Sequence, residues 1–320
     1  MTLDSDTRKL LAWRIEIKAP YFQDLTPEQA REAMAAARKA ANVTPPEIGD
    51  IENLTASKGA HSVGLRYYRP DRGRANGALP FLIFFHGGGW VIGDLESHDI
   101  LCRQLVLGSG CAVIAVDYRL SPEHKYPAAL EDAEIAVEWI FDNAEKLGLD
   151  AGHAGIGGDS AGGNLAAVMT LLSRDGKLPL LKFQFLAYPV TDLTMARRSY
   201  DVAAEGLPVT RETMEWFIGH YLNSDEQQTD WRASPVFARS LKGVPPAYIV
   251  SAGYDPLVDE GDAYARRLRA AGVPVKVDHY GGQIHGFLTM GAALPTAGKA
   301  VGEIGKVLKS ALADGTFKGD

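Results

Sequence analysis

The 320-residue chain reads as an α/β protein: a mostly parallel central sheet flanked by helices on both faces, with a helical cap. Three observations point there. From residue 79 onward, short apolar runs alternate with helical patterns, as repeated strand–helix–strand units do. The runs at 79–85 and 111–118 are apolar almost throughout, as strands buried on both faces are. One stretch, 193–239, breaks the alternation: it shows no strand pattern but carries Met214, Trp216, Phe217, Tyr221 and Trp231, too much apolar surface for an exposed loop.

The chain opens on two helical segments between residues 6 and 42. Trp13, Ile17 and the alanine-rich run 30–41 suggest amphipathic helices, Thr26-Pro27-Glu28 is a start signal for the second, and Pro45-Pro46 closes the section. Residues 62–69 alternate apolar and polar, a half-buried strand. Pro80 lies at the start of the buried strand 79–85, and a helix over 100–107 leads to the strand at 111–118. Residues 128–147 read as one long helix, with Leu130, Ala133, Val137 and Ile140 at core-facing intervals and Gly148 past its end. A glycine-rich strand, Ala154-Gly155-Ile156-Gly157, precedes a helix of good formers over 164–172. Strands at 183–188, 247–252 and 273–280 follow, with helices at 259–271 and 296–312, and a helix at 210–221 lies inside the irregular stretch. The expected organisation is an N-terminal part of the cap at 1–50, a core at 51–192, a cap insertion at 193–239 and the rest of the core at 240–320. The chain shows no internal repeat and no low-complexity tract.

Composition narrows the function classes. A formal net charge of −7 argues against a nucleic-acid-binding surface. Cys102 and Cys111 have neither metal-ligand nor redox-motif spacing, so both are expected buried and reduced, with no metal. The polar N-terminus lacks the apolar core of a secretory signal, and no apolar run approaches the length of a membrane span. A cytoplasmic enzyme with no membrane partner is the expectation.

The chemistry concentrates at Gly158-Asp159-Ser160-Ala161-Gly162, a G-x-S-x-G sequence between a strand and a helix. A serine on so sharp a turn has an exposed hydroxyl, and residues two positions either side must be tiny because the turn crowds them together. The following helix aims its N-terminal N–H groups at the serine. Such a serine needs a base, and the base an orienting carboxylate. Of the histidines beyond the turn in the last strand region, His279 lies on the strand itself. His285 follows it between glycines, in Gly281-Gly282-Gln283-Ile284-His285-Gly286, where a loop can bend the imidazole inward. Asp255 stands at a strand's C-terminal end, where ligands gather in open α/β sheets. Asp259 and Glu260 compete with it but have a structural use at a helix start, and Asp278 lies within a strand. His86-Gly87-Gly88-Gly89-Trp90 follows a buried strand and can offer backbone N–H donors to a developing oxyanion, with the Ala161 N–H as a further donor. Trp90, Trp216 and Phe217 are candidate apolar walls for a substrate, and His86 is expected to brace its loop.

These segments, with Tyr118-Arg119-Leu120-Ser121-Pro122-Glu123-His124, Asp255-Pro256-Leu257-Val258-Asp259-Glu260-Gly261 and His285-Gly286-Phe287, occur in one order. In that order the sequence resembles the carboxylesterases of the hormone-sensitive-lipase family (esterase family IV), within the α/β-hydrolase fold, over most of the chain from about residue 51. Ser121 departs from the alanine common in relatives, at no catalytic position. The resemblance implies Ser160, Asp255 and His285 as a triad, Gly88, Gly89 and Ala161 as oxyanion donors, no cofactor, and a small-molecule ester of short to medium chain as substrate. Residues 118–124, with their Arg/Glu pair, are expected as scaffold. Oligomeric state is open, and a homodimer through a sheet edge is compatible with the resemblance. Two rivals remain: an amidase or formamidase on the same triad, and a non-catalytic small-molecule receptor, a class whose members lose a triad residue.

Overall fold

A computed structural model describes residues 2–71, 77–201 and 204–320. Helices α1 (Ser5–Glu16) and α2 (Pro27–Ala41) come first. α2 starts where Thr26 Oγ1 accepts the Gln29 N–H and Gln29 Oε1 accepts the Thr26 N–H, with Pro27 in the first turn. Then come β1 (Asp50–Lys58), β2 (His61–Arg69), β3 (Leu79–Phe85), α3 (Asp99–Ser109), β4 (Ala112–Asp117), α4 (Ala128–Asp142), α5 (Ala144–Leu147), β5 (Leu149–Asp159) and α6 (Ala161–Arg174). The chain continues through β6 (Phe183–Ala187), α7 (Arg211–Tyr221), β7 (Ala247–Tyr254), α8 (Val258–Ala270), β8 (Val275–Ile284) and α9 (Pro295–Leu308).

The eight strands lie in the order β1-β2-β4-β3-β5-β6-β7-β8. β2 is antiparallel to both neighbours, and all pairings from β4 to β8 are parallel. Side chains alternate between two cores, one on each face of the sheet. Phe81, Ile83, Phe85, Ile114 and Val116 pack with Leu165 and Val168 of α6 on one face, while Leu82, Phe84, Val113 and Ala115 pack with Leu105 of α3 and Ile304 of α9 on the other. Burial on both faces is why β3 and β4 lack a two-residue apolar period. Among the described residues no helix is long and apolar enough to cross a membrane. Cys102 and Cys111 are both buried and unpaired.

Two expectations about elements are corrected. β1 has no counterpart in the sequence reading: it is the edge strand of a hairpin and is mostly exposed, so no apolar pattern announces it. The helix expected over 128–147 is two helices, broken at Asn143, which turns out of helical geometry with its Nδ2 donating to the Trp139 carbonyl.

β3 lies between β4 and β5, so the chain leaves it to one side and returns on the other. Open α/β sheets place their ligands at such a reversal, beyond the C-terminal strand ends. The C-terminal ends of β3, β5, β7 and β8 carry residues 86–90, Ser160, Asp255 and His285.

Candidate active site

Ser160 sits between β5 and α6 at φ 55°, ψ −118°, a backbone state that costs on the order of 1–3 kcal/mol for a non-glycine residue. Neighbouring backbone holds it there. The Ser160 N–H donates to the Ala187 carbonyl at 2.9 Å, and the Ser160 carbonyl accepts the N–H groups of Asn164 and Val190. The flanking glycines are required by space. A Cβ on Gly158 would lie 2.5 Å from the Gly162 carbonyl carbon, and one on Gly162 would overlap the backbone of Phe85. The crowding expected from the sequence is therefore joined by a second constraint, the end of β3.

Three side chains from three loops meet at this turn. His285 Nε2 lies 2.9 Å from Ser160 Oγ, and His285 Nδ1 lies 2.8 Å from Asp255 Oδ2. Asp255 is fully buried, and its Oδ1 accepts the Leu257 N–H at 2.8 Å. With Nδ1–H donated to the carboxylate, the Nε2 lone pair faces the serine hydroxyl. Tyr188 packs edge-on against the imidazole, 4.8 Å between ring centroids. Ser160 and His285 are each only 7% exposed, so the approach to them is narrow.

The competing carboxylates are engaged elsewhere. Asp259 Oδ2 accepts the Ser199 N–H. Glu260 is buried, accepts the Thr191 N–H at 2.7 Å and the Tyr200 hydroxyl at 2.9 Å, and is pushed well above the usual carboxylate range by burial. Asp278 accepts from the Tyr248 hydroxyl, and His279, exposed on β8, bonds Ser251.

The loop after β3 curls towards the serine. Gly88 (φ 122°) and Gly89 (φ 57°) have backbone angles that L side chains rarely adopt. Among the described residues, the N–H groups of Gly88, Gly89 and Ala161 donate to no acceptor, whereas the Gly87 N–H donates to Asp159 Oδ1 at 2.8 Å. Phe217 of α7 lies against Gly89: a Cβ there would overlap its ring. Phe22, between α1 and α2, packs on Phe217 at 5.7 Å, and Trp216 contacts Phe217 at 5.1 Å. Trp90 departs from the expectation of a substrate wall. It is 0% exposed and stacked 4.0 Å above Tyr221, so it joins the loop to the end of α7 and presents no surface to a ligand.

Residues 118–124 also differ in detail. Arg119 and Glu123 do not pair with each other. Arg119 binds Asp132 and Glu131 on α4, and Glu123 binds Arg31 of α2, which also donates to the Val91 and Ser121 carbonyls. Three contributors escaped the sequence reading. Arg31 ties α2 to the loop after β3, Asp159 ties that loop to the elbow, and His98 Nε2 lies 3.0 Å from Asp159 Oδ1. No motif marks Arg31 or His98, and Asp159 is the unspecified position inside G-x-S-x-G.

A family model described as the α/β-hydrolase fold matches residues 82–289. The chain belongs to that family. It is of the hormone-sensitive-lipase type that the motifs implied. The carboxylic ester hydrolase LipN of Mycobacterium tuberculosis is 45% identical over 249 residues, 75% of this chain and 65% of LipN, a little under two thirds of that relative. Ethyl acetate hydrolase of Pseudomonas putida is 38% identical over 79% of each chain. The solved structure of an ester hydrolase from the metagenome of Lake Arreo, in complex with a bipyridine phosphonate derivative, superposes with a TM-score of 0.92 at 40% identity, covering 97% of this chain and 99% of that one.

Proposed function

We propose that this α/β-hydrolase is a carboxylesterase that cleaves short- to medium-chain carboxylic esters through Ser160, His285 and Asp255. The observation that carries the reading is the unbroken Asp255–His285–Ser160 hydrogen-bond chain beside three unclaimed N–H groups. His285 Nε2 takes the serine proton as Ser160 Oγ attacks the ester carbonyl. The carbonyl oxygen, now negative, is held by Gly88, Gly89 and Ala161 at the N-terminus of α6. The imidazolium hands its proton to the departing alcohol and leaves an acyl-enzyme, which water opens by the same steps. Every group this sequence uses is a side chain or amide of the chain, with no cofactor. The relatives named for ester and ethyl acetate hydrolysis support the reaction class.

We assign residues 1–50 and 193–239 to a cap over a core formed by 51–192 and 240–320. Its support is that Phe22, Gln23 and α7 bond to one another: Phe22 on Phe217, and the Thr213 hydroxyl on Gln23 at 2.8 Å. With Phe217 against Gly89 and Ser160 nearly buried, the acyl chain has limited depth. Each methylene that fits contributes up to about 0.8 kcal/mol of burial, and each one beyond must displace Phe217 or stay in water. The optimum is therefore placed at butyrate to octanoate, and Trp216 and Phe217 are assigned as substrate walls. The test is kcat/KM over soluble esters of rising acyl length, then emulsified long-chain triglyceride. A peak followed by a fall is expected. Highest activity on triglyceride above its solubility would replace this reading with a lipase.

A further inference from the structure

In the sheet, β6 lies between β5, which ends at Ser160, and β7, which ends at Asp255. Residues 188–192, which follow β6, therefore stand between two members of the triad, and they touch the third. The Val190 N–H donates to the Ser160 carbonyl at 3.2 Å, and the Tyr188 ring packs on His285. The ladder of β6 with β7 ends at the pair Ala187–Val250, so side chains must fix what comes after it. Asn164 Nδ2 donates to the Val190 carbonyl at 3.0 Å. The next two N–H groups, of Thr191 and Asp192, both point to one atom, Glu260 Oε1, at 2.7 and 3.3 Å. The Thr191 hydroxyl also donates to the Glu260 carbonyl at 2.9 Å. We infer that Glu260 is a positioning residue of the active site: through Thr191 and Asp192 it locks the segment that holds the Ser160 carbonyl to the turn that bears Asp255. What the lock does for turnover rests on the ester-hydrolase reading; the lock itself does not.

The other end of the lock is equally firm. Glu260 follows Asp255 by five residues, in the first turn of α8. The Asp255 carbonyl accepts the Val258 N–H at 3.2 Å, its Oδ1 accepts the Leu257 N–H, and the Leu257 carbonyl accepts the Gly261 N–H at 3.1 Å. The Asp255 turn and the start of α8 are thus one hydrogen-bonded piece, from which the Glu260 carboxyl reaches across to the segment after β6. That carboxyl is fully buried, where a polar group without partners is costly. Its Oε2 is met by the Tyr200 hydroxyl at 2.9 Å. The lock needs no particular charge, because Oε1 accepts both N–H groups whether or not Oε2 carries a proton.

The consequence is geometric. Ser160 is held at φ 55°, ψ −118°, and a residue in such a state stays there only while its surroundings over-determine it. With the Glu260 acceptor gone, two buried N–H groups lose their partner and residues 190–192 are free to shift. Val190 then moves off the Ser160 carbonyl, and Tyr188 moves against His285. A misplacement of about 1 Å begun away from the reacting atoms can cost on the order of 10²-fold in rate. Glu260 touches neither substrate nor a reacting atom, so its effect falls on kcat and little on KM.

The test uses the full chain and three variants. Glu260→Leu removes the acceptor at similar volume, Glu260→Gln keeps Oε1 for both N–H groups, and Glu260→Asp draws the acceptor back by one methylene. Amide hydrogen exchange is followed by NMR without substrate. In Glu260→Leu, exchange at Val190, Thr191 and Asp192 should be at least about tenfold faster than in wild type, with the amides of β3 unchanged. In Glu260→Gln it should stay within about threefold of wild type. No acceleration, or one shared by β3, would overturn the lock. Ester hydrolysis is then measured where each variant is folded. Glu260→Leu should lower kcat by about 10–100-fold with KM within about threefold, Glu260→Gln should restore kcat to within about threefold, and Glu260→Asp should fall between. Wild-type kcat in Glu260→Leu, a loss carried by KM alone, or Glu260→Gln as poor as Glu260→Leu counts against the positioning role. If Glu260→Leu does not fold, exchange and kinetics are read on Glu260→Asp against Glu260→Gln. Loss of turnover in Ser160→Ala examines the ester-hydrolase reading separately, since amide exchange needs no turnover.

Discussion

Acid should destabilise this fold through His86 in particular. The side chain is fully enclosed beneath the loop 86–90, and burial, followed by the positive charge of His98, pushes its pKa from 6.5 to about 4. The folded value lies below the unfolded one, so the unfolded chain binds the proton first. The effect is absent above about pH 7, grows as pH falls through 6.5, and levels off once the folded state is protonated near 4. At about 1.4 kcal/mol per tenfold change in proton affinity, it costs about 2 kcal/mol at pH 5 and about 3 kcal/mol in full. His86→Asn places an amide N–H where Nδ1–H donates to the Gly87 carbonyl and does not titrate in this range. Urea denaturation of both proteins at pH 7 and pH 5 isolates the contribution from carboxylates common to both. The wild type should lose about 2 kcal/mol more than His86→Asn over that interval. Equal losses would refute the reasoning and mean that His86 is protonated, or reaches water, in the folded state.

Ser160→Ala and His285→Ala should each lower kcat by roughly 10⁴–10⁶-fold, with the double variant little worse, because the pair acts as a unit. Asp255→Asn should cost about 10⁴-fold in kcat while Asp259→Asn, whose carboxylate accepts the Ser199 N–H, stays near wild type; the reverse order would reassign the carboxylate. Gly89→Ala, with φ 57° and a Cβ overlapping Phe217, should reduce kcat/KM by about 10²–10³-fold, and adding Phe217→Ala should recover only part because the backbone strain stays. Arg31→Ala removes donors from the Val91 and Ser121 carbonyls and should lower stability by about 1–3 kcal/mol in thermal melts. Glu123→Gln removes only the half-exposed partner and should cost less than about 1 kcal/mol.

The legible part of the site was the part that backbone geometry imposes on residue type. A serine at positive φ, pressed between β3 and the start of α6, admits only glycine at 158 and 162, so the turn is written in the sequence. A base needs a flexible loop after the last strand, and His285 has glycine beside it. The hidden part was carried by residues of ordinary appearance. β1 shows no periodicity because an exposed edge strand has no buried face to encode. Asn143 breaks a helix whose apolar pattern runs straight through it. Arg31 and Glu123 meet across 92 positions of sequence, and no local rule pairs them.

Sequence by itself determined the alternation of strands and helices and the glycine-flanked turn at Ser160. Each follows from a local requirement: apolar period, helix caps, or glycine where a Cβ has no room. Only the tertiary structure decided which surfaces those segments present. Trp90 follows the glycines as a wall would, yet its ring is turned onto Tyr221 and sealed. Phe217, from a helix more than 120 residues further along the chain, lies against Gly89 in its place. The hydrogen-bond partners of His98 and His86 were likewise beyond reach, because no local rule says what will surround a histidine's two nitrogens. Those neighbours, Ser97 and Asp159 for one ring and the Gly87 carbonyl for the other, are gathered only when β3, α3 and β5 pack.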